Sequence, residues 1–530
     1  MERDRTVRLG PVFYVSLALA LVFVGWGILA RDSLTRVTTS LLGLVLETFG
    51  WVYLAVVVAV LVFVLVIGLS PAGKVKLGGD GERPEFGWVS WVAMLLSAGV
   101  GLSFLFWGTA QPLMHLSDPP YAAAEAGSAE AAGLGMRYSF LFWGLHAWAV
   151  YAAVAIAVAY VSFRKGRPVL ISSALYPLLG DRVEGPLGKA VDVLSVLAIL
   201  FGVSTSLGLG TRELNSVLDL TFGLPEVYYV KVAIIAGLMT VCAISAATGL
   251  GRGIRILSLL NAGVCGLLLV FVLILGPTLF LAQTFIESLG GYLSTLASMS
   301  IRSGAPGTEG WAEEWTFFFW AWWISWSPFV GTFIARISRG RTIREVVVGM
   351  VLVPSGVSAL WFSVFGGTSL WIELSGQRDL VALAGQSKAL VTFEVFETLP
   401  FSNVFPLFIV LVIGLLFITS ADSASFMLGS TTCGGSLVPP KLIRLMWSIL
   451  GAAFAAVLLL DSGSRSLQGA AVVGAVPFTI ILVCLCVALG KSLLQDAREE
   501  KKARNSRNSR NSHDPHESQK AHDSRISREP

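Results

Sequence analysis

Six of the 16 tryptophans in this 530-residue chain fall between Trp311 and Trp326, inside one apolar stretch. The run reads Trp320-Ala321-Trp322-Trp323-Ile324-Ser325-Trp326-Ser327-Pro328. Tryptophans of membrane helices ordinarily mark the two interfaces, with one or two at each end. A set stacked over roughly two helical turns builds instead a wall of negative π-faces. The chemistry that suits such a wall is capture of a cation with no hydrogen to donate, such as a quaternary ammonium. Trp320, Trp323 and Trp326 recur every third residue, and Trp322 pairs with Trp326 at i+4. They cannot all face one cavity, so some must pack against neighbouring helices. Pro328 removes a backbone donor just past the cluster.

A second aromatic group reads Trp143-Gly144-Leu145-His146-Ala147-Trp148-Ala149-Val150-Tyr151. On a continuous helix Trp143, Trp148 and Tyr151 fall within an arc of about 140° and spread over about 12 Å of rise. That spread is too long for an interfacial belt. His146 reads as a hydrogen-bonded structural histidine rather than a proton carrier.

Two polar segments complete the chemistry. Ser97-Ala98-Gly99-Val100-Gly101-Leu102-Ser103 places paired glycines inside a span. They either open the helix so that carbonyls and amides face a cavity, or let two helices pack closely. Ile418-Thr419-Ser420-Ala421-Asp422-Ser423 offers adjacent hydroxyls. Opposite the carbonyls of a broken helix they would make an oxygen cage for a small hard cation such as Na⁺. The alternative is that they bond back to their own helix. Asp422 needs a partner or water, and a loop arginine would serve as an anchor.

The elements that position these groups follow from composition. The chain is 55% hydrophobic and 14% charged, against about 25% charged in soluble domains. Apolar runs of about 20 residues recur throughout, which makes this an all-α polytopic membrane protein. About twelve spans are expected, near 10–30, 50–70, 87–110, 137–163, 190–211, 227–247, 255–280, 315–336, 345–370, 403–428, 441–460 and 467–490. The segment 282–301 is only moderately apolar and reads as an amphipathic interfacial helix. Residues 1–490 form the membrane domain. Residues 491–530 carry a threefold Arg-Asn-Ser repeat and read as a polar tail, disordered or helical only near its start, whose basic residues suit anionic lipid.

Loop charges check the span count. Arg3, Arg5 and Arg8 precede the first span; Lys74, Lys76 and Arg83 follow the second; Arg164, Lys165 and Arg167 follow the fourth. Arg252 and Arg255 follow the sixth, Arg336, Arg339, Arg341 and Arg344 the eighth, and Lys441 and Arg444 the tenth. These are alternate loops, and the loop from Pro112 to Met136 has no Lys or Arg. The positive-inside rule then puts both termini in the cytoplasm of a multi-pass plasma (inner) membrane protein. With its basic residues in short loops and the tail, the net charge of +4 does not point to nucleic acid. The five cysteines fit no zinc spacing and read as packing residues. The first apolar run reads as a span and not a cleaved signal. Gly188-Lys189 is no P-loop, and neither HExxH nor a complete GxGxxG is present, so no enzyme is expected.

Together these residues resemble the betaine/choline/carnitine transporter family (BCCT). The run from Trp322 through Phe329-Val330-Gly331 to Arg339-Gly340-Arg341-Thr342-Ile343-Arg344-Glu345 is similar to that family's long signature. The glycine segment, the Trp-Gly-x-His-x-Trp-Ala segment, Ser206-Leu207-Gly208-Leu209-Gly210 and Thr-Ser-Ala-Asp-Ser match weaker motifs in the same order.

The resemblance implies ten core helices in two inverted five-helix repeats, spans 3–7 and 8–12, preceded by two extra helices. It implies a homotrimer with the amphipathic helix at its centre. By the same resemblance Trp143, Trp148, Tyr151 and Trp323 match an aromatic box for trimethylammonium. Trp326 matches a position on the inward path, with Ser325 beside it. Main-chain oxygens of Ser97, Val100 and Leu416, with the hydroxyls of Thr419 and Ser420, match a Na⁺ site. Three departures are visible. Gln111 replaces a glutamate, and Ile199 and Val203 stand where a second proposed Na⁺ site has threonines. Ser103 stands where proton-coupled choline carriers tend to have an aspartate. Ser103 cannot balance a cationic substrate, so a zwitterion is expected, its carboxylate received by the exposed amides of Gly99, Gly101 and Ser103.

The expected function is import of a zwitterionic quaternary ammonium osmolyte of the glycine betaine type, coupled to Na⁺, with no other cofactor. The alternatives are carnitine or sulfonium uptake or exchange without net ion coupling, proton-coupled choline uptake, and a non-transporting sensor.

Overall fold

The computed structural model describes residues 9–100, 104–248, 250–304, 308–400, 405–460 and 464–512. Gly101 and Ser103 therefore lie outside the described residues. Helices dominate, and an isolated antiparallel bridge joins Lys76 to Thr342.

Each expected span coincides with a helix or a broken pair. In order these are α1 (Pro11–Leu29), α2 (Arg31–Leu69), α3 (Trp88–Gly99) with α4 (Phe104–Ser117), α5 (Ala129–Trp143) with α6 (Leu145–Ala159), α7 (Pro186–Phe222), α8 (Tyr228–Thr248) and α9 (Leu250–Leu275). The expected interfacial helix is α10 (Thr278–Ser300). Then come α11 (Phe318–Ile337), α12 (Ile343–Leu374), the short α13 (Lys388–Glu397), α14 (Phe405–Thr432), α15 (Lys441–Leu458) and α16 (Ser464–Ser512).

Among the described residues nine helices are long and apolar enough to cross a membrane, and the pair containing α3 and α4, bent by 62°, makes a tenth. The tryptophan-rich α11 is not among them, because its Trp, Ser, Thr and Pro residues lower its hydropathy. Every residue from Phe318 to Ala335 is buried, so this helix faces protein rather than lipid. Helix α6 is equally enclosed and rich in alanine, which lets backbones approach closely. The two helices pack along their length. A Cβ on Gly331 would lie 2.5 Å from Val154 Cβ, so only glycine permits this approach.

The loops after the second, fourth and eighth spans meet on one side, as the charge pattern requires. Arg336 pairs with Glu85 at 3.0 Å, Arg339 with Glu82 at 2.5 Å, and Arg164 with Asp80 at 2.8 Å. Arg344 Nε donates to the Gly68 carbonyl at 2.9 Å. The basic residues at the end of α11 thus clamp the start of the third span.

The final helix runs on to Ser512, further than the tail was expected to hold structure. Residues 491–506 are rich in Leu, Gln, Ala, Arg, Glu and Lys, all good helix formers. The helix is also pinned: the Asp496 carboxylate accepts from the Tyr160 hydroxyl and from Lys165, and Lys491 donates to the Pro177 carbonyl at 2.6 Å.

Candidate functional site

Gly144 leaves the helical region (φ −103°, ψ −135°) and splits the fourth span into α5 and α6. Trp143 closes one half; Trp148 and Tyr151 sit on the other. The break is repaired from outside. Trp323 Nε1 of α11 donates to the Phe142 carbonyl at 2.8 Å, and Trp143 Nε1 donates to Gln111 Oε1 at 2.8 Å. Both indoles are therefore fixed by their N–H groups, and their rings make further contacts through faces and edges.

These fixed rings gather around one point. Trp143 meets Trp323 edge to face at 4.9 Å. Tyr151 meets Trp323 at 6.3 Å and Trp148 at 5.7 Å, both nearly perpendicular. They share a closed cavity with Gly99, Val100, Phe104, Ala147 and Ser358. A Cβ on Gly99 would lie 2.6 Å from the Trp148 ring, so glycine is required there for the ring to take its place. The cavity measures about 10 Å³, room for one water at most. A guest larger than water requires the rings to part.

The sequence expectations are distributed as follows. Trp143, Trp148, Tyr151, Trp323 and Gly99 line the cavity. Trp326 and Ser325 do not reach it. Trp326 Nε1 donates to the Gly202 carbonyl of α7 at 2.7 Å, and Ser325 Oγ donates to the Trp322 carbonyl at 2.8 Å. The other tryptophans pack around the box: Trp322 stacks on Trp323 at 4.9 Å, and Trp311 and Trp315 stack at 6.1 Å. His146 is stacked on Trp320 at 5.1 Å, and neither ring nitrogen has a hydrogen-bond partner among the described residues, contrary to the expected structural hydrogen bond. Phe104 and Ser358 were not foreseen. Phe104 directly follows the glycine segment, a position that signals it. Ser358 lies in the ninth span, where nothing local singles it out.

The residues of the candidate cation site lie where α3 ends and α14 passes it. Helix α3 stops at Gly99, with Val100 as its C-cap, and the last carbonyls of a helix have no partner within it. The Thr419 hydroxyl donates to the Leu415 and Leu416 carbonyls at 2.9 and 3.0 Å. A donating hydroxyl keeps its lone pairs, so bonding back to the helix leaves it able to hold a cation. Ser420 Oγ is buried with no hydrogen-bond partner among the described residues. Asn261 Nδ2 of α9 reaches Ser97 Oγ at 3.5 Å. Asp422 takes no part: it pairs with the fully buried Arg444 at 2.5 Å, the expected loop arginine.

Comparison with known proteins shows the family. The family described as "BCCT, betaine/carnitine/choline family transporter" matches residues 11–498. The glycine betaine transporter OpuD of Bacillus subtilis is 43% identical over 499 residues, 93% of this chain and 96% of that protein. An ectoine/hydroxyectoine transporter of Virgibacillus pantothenticus is 38% identical, covering 93% of this chain and 97% of its own. A glycine betaine transporter of Acinetobacter baylyi is 38% identical over 93% of this chain and 75% of its own. The chain therefore belongs to the betaine/carnitine/choline family: it is a multi-pass membrane transporter and not an enzyme.

Proposed function

We propose that this transporter imports a zwitterionic quaternary ammonium osmolyte of the glycine betaine type together with Na⁺, by alternating access. The observation that carries this reading is the meeting of Trp143, Trp148, Tyr151 and Trp323 on one closed cavity. A trimethylammonium group has no N–H, so shape and ring charge must select it. Each desolvated ring contributes about 0.5–2 kcal/mol. Three or four rings give micromolar to millimolar binding after entropy costs, which suits a carrier that must release its cargo.

Na⁺ enters the reading as cargo. Carbonyls of Ser97, Val100 and Leu416 with hydroxyls of Thr419 and Ser420 supply the hard oxygen ligands it needs. A neutral zwitterion moved with one Na⁺ gains about 2.3 kcal/mol per 100 mV of inward-negative potential. Rocking of two inverted five-helix repeats, spans 3–7 against 8–12, would carry both past the membrane midplane.

The setting is the plasma (inner) membrane, with both termini cytoplasmic, the transport domain ending near residue 490 and the basic tail beside anionic lipid. The assembly is a homotrimer built on α10. Leu279, Gln283, Ile286, Gly290, Leu293 and Ala297 are all exposed on one stripe of that helix. They alternate at spacings of four and three, the seam of a coiled coil.

A second reading is uptake of ectoine, a cyclic amidinium carboxylate. The Tyr151 hydroxyl is buried with no hydrogen-bond partner among the described residues, and it would accept an N–H that trimethylammonium lacks. Labelled uptake into proteoliposomes separates the readings. Glycine betaine accumulation that follows an imposed Na⁺ gradient is the expected result. Uptake indifferent to that gradient overturns the coupling, and stronger competition by ectoine, carnitine or choline than by glycine betaine overturns the substrate.

A further inference from the structure

Lys388 begins α13, in the loop between the ninth and tenth spans, on the side opposite the arginine-rich loops. Its ammonium lies 4.4 Å from the centre of the Trp107 ring and 3.9 Å from Glu213 Oε1. Glu213 is buried at the far end of α7, where Oε2 accepts the Ala389 N–H at 3.0 Å. The carboxylate thus binds the first turn of α13, the end that favours negative charge. A hydroxyl pair, Thr392 with Thr109 at 2.6 Å, ties α13 to α4.

Trp107 is one turn beyond Phe104, which lines the box. Its ring meets Phe319 at 5.3 Å. Phe319 in turn meets Trp143 and Trp323, each at 5.8 Å. A fixed ammonium therefore stands two ring contacts above the aromatic box, on a π-face that a quaternary ammonium would also occupy.

We propose that Lys388, Glu213 and Trp107 form an outer charge filter, in which the Lys388 ammonium holds the Trp107 face until a zwitterion displaces it, and which turns away net cations. The proposal rests on reading the box as a quaternary ammonium site. An arriving zwitterion offers its carboxylate to Lys388 while its onium group takes the ring, so charge stays balanced throughout. A net cation such as choline brings only a second positive charge beside Lys388, a like-charge meeting in a poorly solvated place. Glu213 keeps the lysine in position when no substrate is present.

The test compares Lys388→Gln, Lys388→Arg and the double variant Lys388→Gln/Glu213→Gln in proteoliposomes. Inhibition of labelled glycine betaine uptake is measured with external choline and with unlabelled glycine betaine. Lys388→Gln should tighten inhibition by choline about tenfold and by glycine betaine less than about threefold, because Glu213 then lacks the Lys388 counter-charge. Lys388→Arg should keep both values. The double variant leaves no charge stranded and so guards against misfolding; freeing the ring alone should tighten choline inhibition by about threefold. Choline inhibition unchanged in Lys388→Gln and in the double variant overturns the filter. If the unaltered protein takes up no glycine betaine, the substrate reading fails. Retention of labelled choline by the purified proteins, greater in Lys388→Gln than in the unaltered chain, still supports the filter, and equal retention overturns it.

Discussion

The indole N–H of Trp323 donates to the main-chain carbonyl of Phe142 over 2.8 Å. One hydrogen bond thereby repairs a helix broken at Gly144 and fixes a ring from α11 against rings from α5 and α6. The pocket and the break are parts of one device. Trp143 and Trp323 are held by their indole nitrogens, and Trp322 stacks on one face of Trp323.

Trp323 is therefore expected to behave unlike its neighbours. Trp323→Ala should raise the KM for glycine betaine about tenfold or more, through loss of a ring worth about 0.5–2 kcal/mol and loosening of the others. Trp323→Phe keeps a ring but loses the bond to Phe142, and should fall between. Trp311→Ala removes a buried ring outside the cavity, so it should cost about 3–5 kcal/mol of stability and leave KM within about twofold. Uptake kinetics with thermal unfolding check this; equal KM changes at Trp323 and Trp311 would reduce both to packing.

Gly99→Ala probes the box from the opposite helix. The added methyl group would lie 2.6 Å from the Trp148 ring, and the indole must move. Overpacking of this kind costs about 1–3 kcal/mol, and misplacement of a binding ring should raise KM by about tenfold. An unchanged KM would show that Trp148 does not touch substrate.

Much of this was readable before any coordinates. Apolar run length and alternating loop charge mark out the helices, because a bilayer dictates both. The tryptophan density of α11 announces the wall, and the loop arginines announce a partner for Asp422. What could not be read is three-dimensional. The helical arc drawn through Trp143, Trp148 and Tyr151 assumes a continuous helix, whereas Gly144 breaks it; the rings meet because Trp323 bridges the gap, a contact 181 residues away in sequence. Trp326 shares the spacing of Trp323 yet turns to Gly202, since periodicity gives a face but not which neighbour covers it. Helix α16 outlasts its apolar stretch because Asp496 finds Tyr160 and Lys165, a pairing no local pattern reveals.

The sodium reading makes its own demand. Thr419→Val and Ser420→Ala each remove one hydroxyl ligand and should raise the Na⁺ concentration for half-maximal uptake about tenfold, with KM for glycine betaine restored when Na⁺ is saturating. Unaltered Na⁺ dependence in both variants would place the ion elsewhere.

Arg444 and Asp422 form a buried pair at 2.5 Å. Arg444→Met alone strands the carboxylate and should cost about 3–5 kcal/mol, whereas Arg444→Met combined with Asp422→Leu should regain most of the loss. Thermal unfolding in detergent reads both. A double variant no more stable than the single one would assign Asp422 a role beyond anchoring.

The central claim is that ring charge, and not merely pocket shape, selects the substrate. The most direct measurement is competition between labelled glycine betaine and 3,3-dimethylbutyrate, which keeps the carboxylate and the three methyl groups but replaces the ammonium nitrogen with carbon. The neutral head should compete at least about tenfold more weakly, in keeping with loss of several cation–π contacts. Competition equal to that of unlabelled glycine betaine would contradict the account.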